Sequence, residues 1–254
     1  MADTVLSTVT EAYVRQDSAN QEEQRDPMEG FRSIFISDAL SIGALKFGSF
    51  ALKSGRSSPY FFNAGLLCSG PLLDTLASSY AALIATQYPR DSFDVLFGPA
   101  YKGIALAGAT ALCLHRDHAI SVSYAYNRKE AKTHGEGGWV VGAELKGKRV
   151  LILDDVITAG TAIRQAIDGI TNEGGTVVGV VVALDREEVG GGIEVVPGGK
   201  SAVKDVDDTF LGGKGAVKAV VRMRDLIAWL DKNGRQDDVV SMQAYWEKYG
   251  VKDV

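Results

Sequence analysis

Two adjacent carboxylates stand at the end of an apolar run in Val150-Leu151-Ile152-Leu153-Asp154-Asp155-Val156-Ile157-Thr158-Ala159-Gly160-Thr161-Ala162. The run reads as a buried strand, so Asp154 and Asp155 emerge at its carboxyl end, and the Thr/Gly-rich loop behind them opens a helix. The first N–H groups of a helix have no intrahelical acceptor and lie at the positive end of its dipole, which makes an anion site. Gly160 lets the backbone approach a phosphate, and Thr158 and Thr161 add hydroxyl donors. One loop can thus hold a phosphate while the carboxylates before it accept hydrogen bonds from a neighbouring diol. A sugar phosphate has both features. The plainer alternative makes Asp155 a turn cap and Thr161 a helix cap. Capping needs one acidic or hydroxyl residue, not two carboxylates placed where they repel.

The surrounding pattern supplies elements to position this loop. Apolar Phe31, Ile34, Phe35 and Leu40 recur at helical spacing, which predicts an amphipathic helix up to about Leu45. Phe47–Leu52 and Ser58–Phe62 read as two short strands around Ser54-Gly55-Arg56, and Pro71 opens a helix through Tyr88. Strands are expected at Phe93–Phe97, Ala119–Tyr124, Val150–Leu153 and Val177–Leu184, with helices from about Gly103 and about Ala159. The second helix carries Ala162, Ile163, Ala166, Ile167 and Ile170 on one face. Continuous Val/Ile/Leu strands alternating with helices predict an α/β fold with a central parallel sheet covered on both faces. Ligands of such sheets bind outside the carboxyl ends of the strands, here after Phe97, Leu153 and Leu184. Residues 1–28 read as a polar arm before a single domain over 29–254. Residues 190–215 read as a Gly-rich surface excursion, and two helices, about Arg222–Lys232 and Asp237–Tyr249, close the chain.

Composition narrows the function classes. With 254 residues and 46% hydrophobic content, the chain can bury a sizeable core. A net charge of −5 argues against non-specific nucleic-acid binding. Cys68 and Cys113 are too few for a disulfide framework and lack metal-ligand spacing. No stretch approaches the ~20 apolar residues of a membrane span, and the acidic start matches no targeting segment. A cytoplasmic protein is expected.

The acidic pair followed by Thr-Ala-Gly-Thr resembles the phosphoribosyl pyrophosphate (PRPP) signature of the type I phosphoribosyltransferases. Further segments narrow the resemblance to the orotate phosphoribosyltransferases: Leu45–Phe50, Lys53–Arg56, Ser58–Gly65, Phe97–Gly103, Tyr126–Gly138 and Leu184–Arg186. Ordered blocks are far more specific than one short pattern. They cover roughly residues 31–188 and fail across 189–219, where this chain is longer and Gly-rich.

The resemblance implies a type I phosphoribosyltransferase fold, a parallel sheet with a small hood at about 45–65 and a mobile lid at about 127–139, with a variable excursion at about 189–217. It also implies Mg²⁺ as cofactor, orotate and PRPP as substrates, and a homodimer with shared active sites. Asp154 through Ala162 would hold ribose and phosphate, with Mg²⁺ carried mainly by PRPP oxygens rather than by direct protein ligands. Tyr101 and Lys102 would meet pyrophosphate, although a lysine there also reads as a solvated loop residue. Arg128, Lys129, Lys132 and His134 would form the basic lid; in isolation the stretch is a charged, exposed loop. Lys53 would be a further PRPP contact. Phe61, Phe62, Thr158 and Arg186 would hold orotate. One of two consecutive strand residues must face away from the core, which frees one phenylalanine to stack on a base. The Arg186 fork suits a carboxylate, with a surface ion pair as the alternative. Another base, or a PRPP-sensing regulator without turnover, remains a rival reading.

Three patterns are set aside. Gly199-Lys200-Ser201 resembles the end of a P-loop, but Glu194 stands where the first glycine is required. His115 and His118 have no third ligand and fit a helix end. Met223 and Trp229 fit helix packing.

Overall fold

The computed structural model describes residues 26–52, 54–132, 138–158, 160–194 and 199–252. The expectations for Lys53, His134, Ala159 and the arm up to residue 25 lie outside the described residues. So does the side chain of Lys132.

Six strands form the main sheet: β3 (Val95–Gly98), β4 (Ser123–Lys132), β5 (Gly138–Gly142), β6 (Arg149–Val156), β7 (Thr176–Asp185) and β8 (Val217–Arg222), in the order β5-β4-β3-β6-β7-β8. All neighbours are parallel except β4 and β5. Alternation within strands sends side chains to two cores. Leu151, Leu153, Val181 and Ala183 join the larger one, whereas Val150, Ile152, Val180 and Val182 join the other. Both faces are therefore covered, which is why these strands are apolar throughout.

Helices α1 (Glu29–Ser41), α2 (Gly70–Gln87) and α3 (Lys102–His118) contribute to the larger core, and α4 (Thr161–Asn172) to the smaller. Helix α5 (Ala202–Phe210) flanks β8, and α6 (Met223–Lys232) and α7 (Gln236–Tyr249) end the fold. Strands β1 (Leu45–Ala51) and β2 (Ser57–Phe62) form a separate antiparallel pair.

Several expectations are corrected. Helix α1 stops at Ser41 and points Ile34 outward, 56% exposed. Met28, placed in the polar arm, is buried. The fourth strand runs from Ser123 to Lys132 rather than from Ala119, because Ala119 adopts a left-handed conformation at the end of α3. The excursion contains α5, and β8 closes the sheet edge beside β7. The buried Asp207 carboxylate organises that turn by accepting from Gly215 and Ala216 N–H at 2.8 and 2.7 Å. Ser201, from the P-loop look-alike, instead accepts from Lys204 N–H as the cap of α5.

Candidate active site

β6 delivers Asp154 and Asp155 where the parallel sheet ends. The Tyr80 hydroxyl donates to the Asp154 carbonyl at 2.7 Å, and Asp155 N–H donates to Asp154 Oδ1 at 2.9 Å. Burial pushes the Asp154 carboxyl above the usual range, the Asp155 charge adding to this against the Asp155 N–H. Behind the pair, Ile157 is buried while Thr158 is exposed. Gly160 has φ +73°, a conformation that favours glycine, and turns the chain into α4. Exposed Thr161 and Ala162 begin that helix, and Gly160 caps it without a side-chain hydrogen bond.

The neighbouring strand end brings Lys102. A Cβ on Gly98 would lie 1.9 Å from the Gly103 carbonyl, so only glycine lets β3 turn this tightly into α3. That turn sets Lys102 against Asp155 as an ion pair. Tyr101, 69% exposed, lies under the Lys129 ammonium, which sits 4.4 Å from its ring centroid. Lys129 comes from β4. The charged stretch read as a plain loop is, on both sides of residues 133–137, an antiparallel hairpin stem in which Asn127 pairs with Val140 and Lys132 with Gly138. Arg128 is committed to that stem: its Nη1 donates to the Gly138 and Val140 carbonyls at 3.1 and 3.2 Å.

On the other side, β7 pairs with β6 so that Val156 faces Leu184, and Arg186 leaves the next strand end. Its guanidinium lies 4.5 Å over Tyr60, donates to Ser58 Oγ at 3.0 Å, and pairs with Glu188. Arg186 is half-buried rather than a surface ion pair. Of the two phenylalanines, Phe62 packs edge-on against Phe35 in the core, whereas Phe61 is 42% exposed beside Phe50. Phe61 is the ring available for stacking.

Sequence reasoning missed Ser58, Tyr80, Arg56 and Glu188. Acidic Glu187-Glu188 directly after Arg186 was a visible signal, but not which of the two turns back. Glu187 has φ +48° and sends its buried side chain to Arg224, leaving Glu188 for Arg186.

The family profile of the phosphoribosyl transferase domain matches residues 73–192. The chain is 50% identical over 225 residues to an orotate phosphoribosyltransferase of Acinetobacter baumannii, covering 89% of this chain and 99% of that one. It is 48% identical to that of Aeromonas salmonicida, covering 88% and 100%. A crystal structure of orotate phosphoribosyltransferase from Francisella tularensis superposes with a TM-score of 0.73 at 39% identity, covering 86% of this chain and all of that one. The chain belongs to the orotate phosphoribosyltransferase family.

Proposed function

We propose that this enzyme transfers the 5-phosphoribosyl group of PRPP to a ring nitrogen of orotate, giving orotidine 5′-phosphate and pyrophosphate in pyrimidine synthesis. The observation that carries this reading is the strand order β3-β6-β7. It sets the acidic pair and phosphate loop between a cationic strand end (Lys102) and one that offers an arginine fork (Arg186). Leaving group, sugar and anionic base then have adjacent partners.

The C1–pyrophosphate bond breaks with its electron pair leaving on pyrophosphate, and ring C1 becomes oxocarbenium-like. Asp154 and Asp155 accept hydrogen bonds from the ribose hydroxyls and stabilise that positive charge. The amides at the start of α4, with Thr158, Gly160 and Thr161, hold the 5-phosphate. Lys102 and the basic hairpin oppose the charge gathering on pyrophosphate, and lid closure keeps water from C1. The orotate nitrogen lone pair forms the new C1–N bond; as that nitrogen is already nucleophilic, no strong protein base is needed. Phe61 stacks on the base and Arg186 meets its carboxylate.

Adjacent hard carboxylates fit Mg²⁺, but among the described residues no cluster of three or more His, Cys, Asp or Glu could hold an ion. As the family resemblance implies, Asp154 and Asp155 would lie beside an ion held mainly by PRPP oxygens. Bound there, Mg²⁺ supplies charge neutralisation to the leaving group.

We also propose a homodimer whose lids serve the partner's acidic pair. One observation favours the alternative: Lys129 lies over Tyr101 of its own chain, as a lid serving its own subunit would.

The direct test follows orotate absorbance with PRPP and Mg²⁺, with a chelator arm and purine bases as controls. Loss of absorbance that stops on chelation and returns with added Mg²⁺ is expected. No loss, or equal turnover of a purine, overturns the reading.

A further inference from the structure

Arg186 is fixed by a network that also reaches the β1–β2 pair. Its Nε donates to Glu188 Oε1 at 2.8 Å, its Nη2 lies 2.6 Å from the same oxygen, and Nη2 also donates to Ser58 Oγ. The other oxygen of Glu188 lies 3.5 Å from Arg56 Nη1. Arg56 is only 3% exposed. It donates Nε to the Gly192 carbonyl at 2.7 Å and Nη1 to the Val189 carbonyl at 2.9 Å, and it packs 4.5 Å from the Tyr249 ring. Its Nη2 is buried with no hydrogen-bond partner among the described residues. The Glu188 backbone is held as well, bridged to Gly250.

We infer that Glu188 is a positioning residue for base recognition, tying Arg186 at the end of β7 to Arg56 at the β1–β2 turn. The inference rests on the proposed role of Arg186. Two guanidiniums share the single carboxylate of Glu188. Asp185, on the same turn, is engaged elsewhere, its Oδ1 accepting from Glu187 N–H at 2.8 Å. Arg56 and Arg186 thus divide the hydrogen-bonding capacity of one carboxylate, so Glu188 matches neither guanidinium fully, an arrangement open to an anionic ligand. With Nε and Nη2 pinned and the plane lying on Tyr60, the guanidinium is held in one orientation before the base arrives. Pre-ordering of this kind raises affinity by removing the entropy cost of fixing a long side chain. Glu188 also makes the β1–β2 pair, which carries Phe61, move as one unit with Arg186.

The test compares Glu188→Gln, Arg186→Ala and the double variant by steady-state kinetics, with melting curves to establish folding. Glu188→Gln should raise KM for orotate about tenfold and leave KM for PRPP within about twofold, since it removes the shared charge and leaves one acceptor where there were two. The double variant should be no worse than Arg186→Ala alone. If Arg186→Ala is selective for orotate while folded Glu188→Gln keeps the wild-type KM, Glu188 is structural only and the inference fails alone. If Arg186→Ala weakens both substrates equally, the base-site reading fails and takes the inference with it. Should Glu188→Gln not fold, Glu188→Asp, which keeps the charge on a shorter arm, takes its place: a selective rise supports the inference and a wild-type KM overturns it.

Discussion

Lys102 and Asp155 reach each other from adjacent strand ends, the lysine from the start of α3 just after β3 and the carboxylate from the end of β6. Asp155 is largely covered, with 14% of its side chain exposed, while Lys102 is 55% exposed. The ammonium is therefore the partner open to solvent, as its proposed role towards an incoming diphosphate requires. Lys102→Gln should lower kcat by roughly 10²–10³, the usual effect of losing one donor aimed at developing charge. Pre-steady-state measurement of pyrophosphate release checks this. An unchanged rate would make Lys102 only the counter-ion of Asp155.

Arg186 contacts Ser58, Tyr60 and Glu188, which lie outside the acidic-pair loop. Arg186→Ala should raise KM for orotate roughly 30- to 150-fold, the equivalent of about 2–3 kcal/mol for a lost charge-assisted fork, with PRPP little affected. Initial rates with each substrate varied in turn measure the split. Equal weakening of both substrates would place Arg186 in the scaffold.

Asp154 is held in a state that costs stability. Burial raises its carboxyl pKa, and a carboxylate with a raised folded value destabilises the fold once the pH passes its unfolded value, near ~3.9. At neutral pH the penalty is present. Asp154→Asn keeps the acceptor for Asp155 N–H and removes the charge. It should melt at or above the wild-type temperature while kcat/KM falls roughly tenfold or more. A lower melting temperature at pH 7 would mean that the carboxylate charge stabilises the fold.

The opposite sign applies at Asp94. Arg149 grips this carboxylate with Nε at 3.0 Å, Nη2 at 2.7 Å and its own backbone N–H at 2.8 Å. The guanidinium hydrogen bonds hold its pKa well below the usual range. Stability from this pair is complete above the unfolded value, near ~3.9, and disappears as pH falls towards the folded one. Both side chains are substantially exposed, so solvent screening keeps the contribution small. Arg149→Met should lower the melting temperature slightly at pH 6 and by less at pH 2. A deficit that persists undiminished at pH 2 would assign the effect to packing.

Where a continuous apolar run fixed an element, the sequence was readable. β6 and β7 lie where Val150–Leu153 and Val177–Leu184 put them, because a strand buried on both faces has no polar positions to blur its ends. β8 and the hairpin stem were not readable. Lys218 interrupts β8, and Tyr126 to Lys132 is held by backbone pairing that charged side chains conceal. In the site, the acidic pair and glycine loop are local and could be seen directly. The Glu188 network joins Arg56 to residues more than a hundred positions away and has no local pattern.

The lid gives the last prediction. Arg128 anchors the hairpin stem, so under the proposed function the pyrophosphate contacts of the lid fall to Lys129, Lys132 and His134. If the enzyme is a two-fold dimer, each lid can serve the other subunit's acidic pair. One variant would lack Asp154 and Asp155, and a second would lack Lys129, Lys132 and His134; each should be nearly inactive alone. After random subunit exchange about half the dimers are mixed, and symmetry leaves one of their two sites with an intact pair and an intact lid. Activity should therefore recover to roughly a quarter of the wild-type value. Exchange is verified independently with differently tagged subunits. A mixture that stays inactive despite proven exchange would assign each lid to its own chain, in keeping with Lys129 over its own Tyr101.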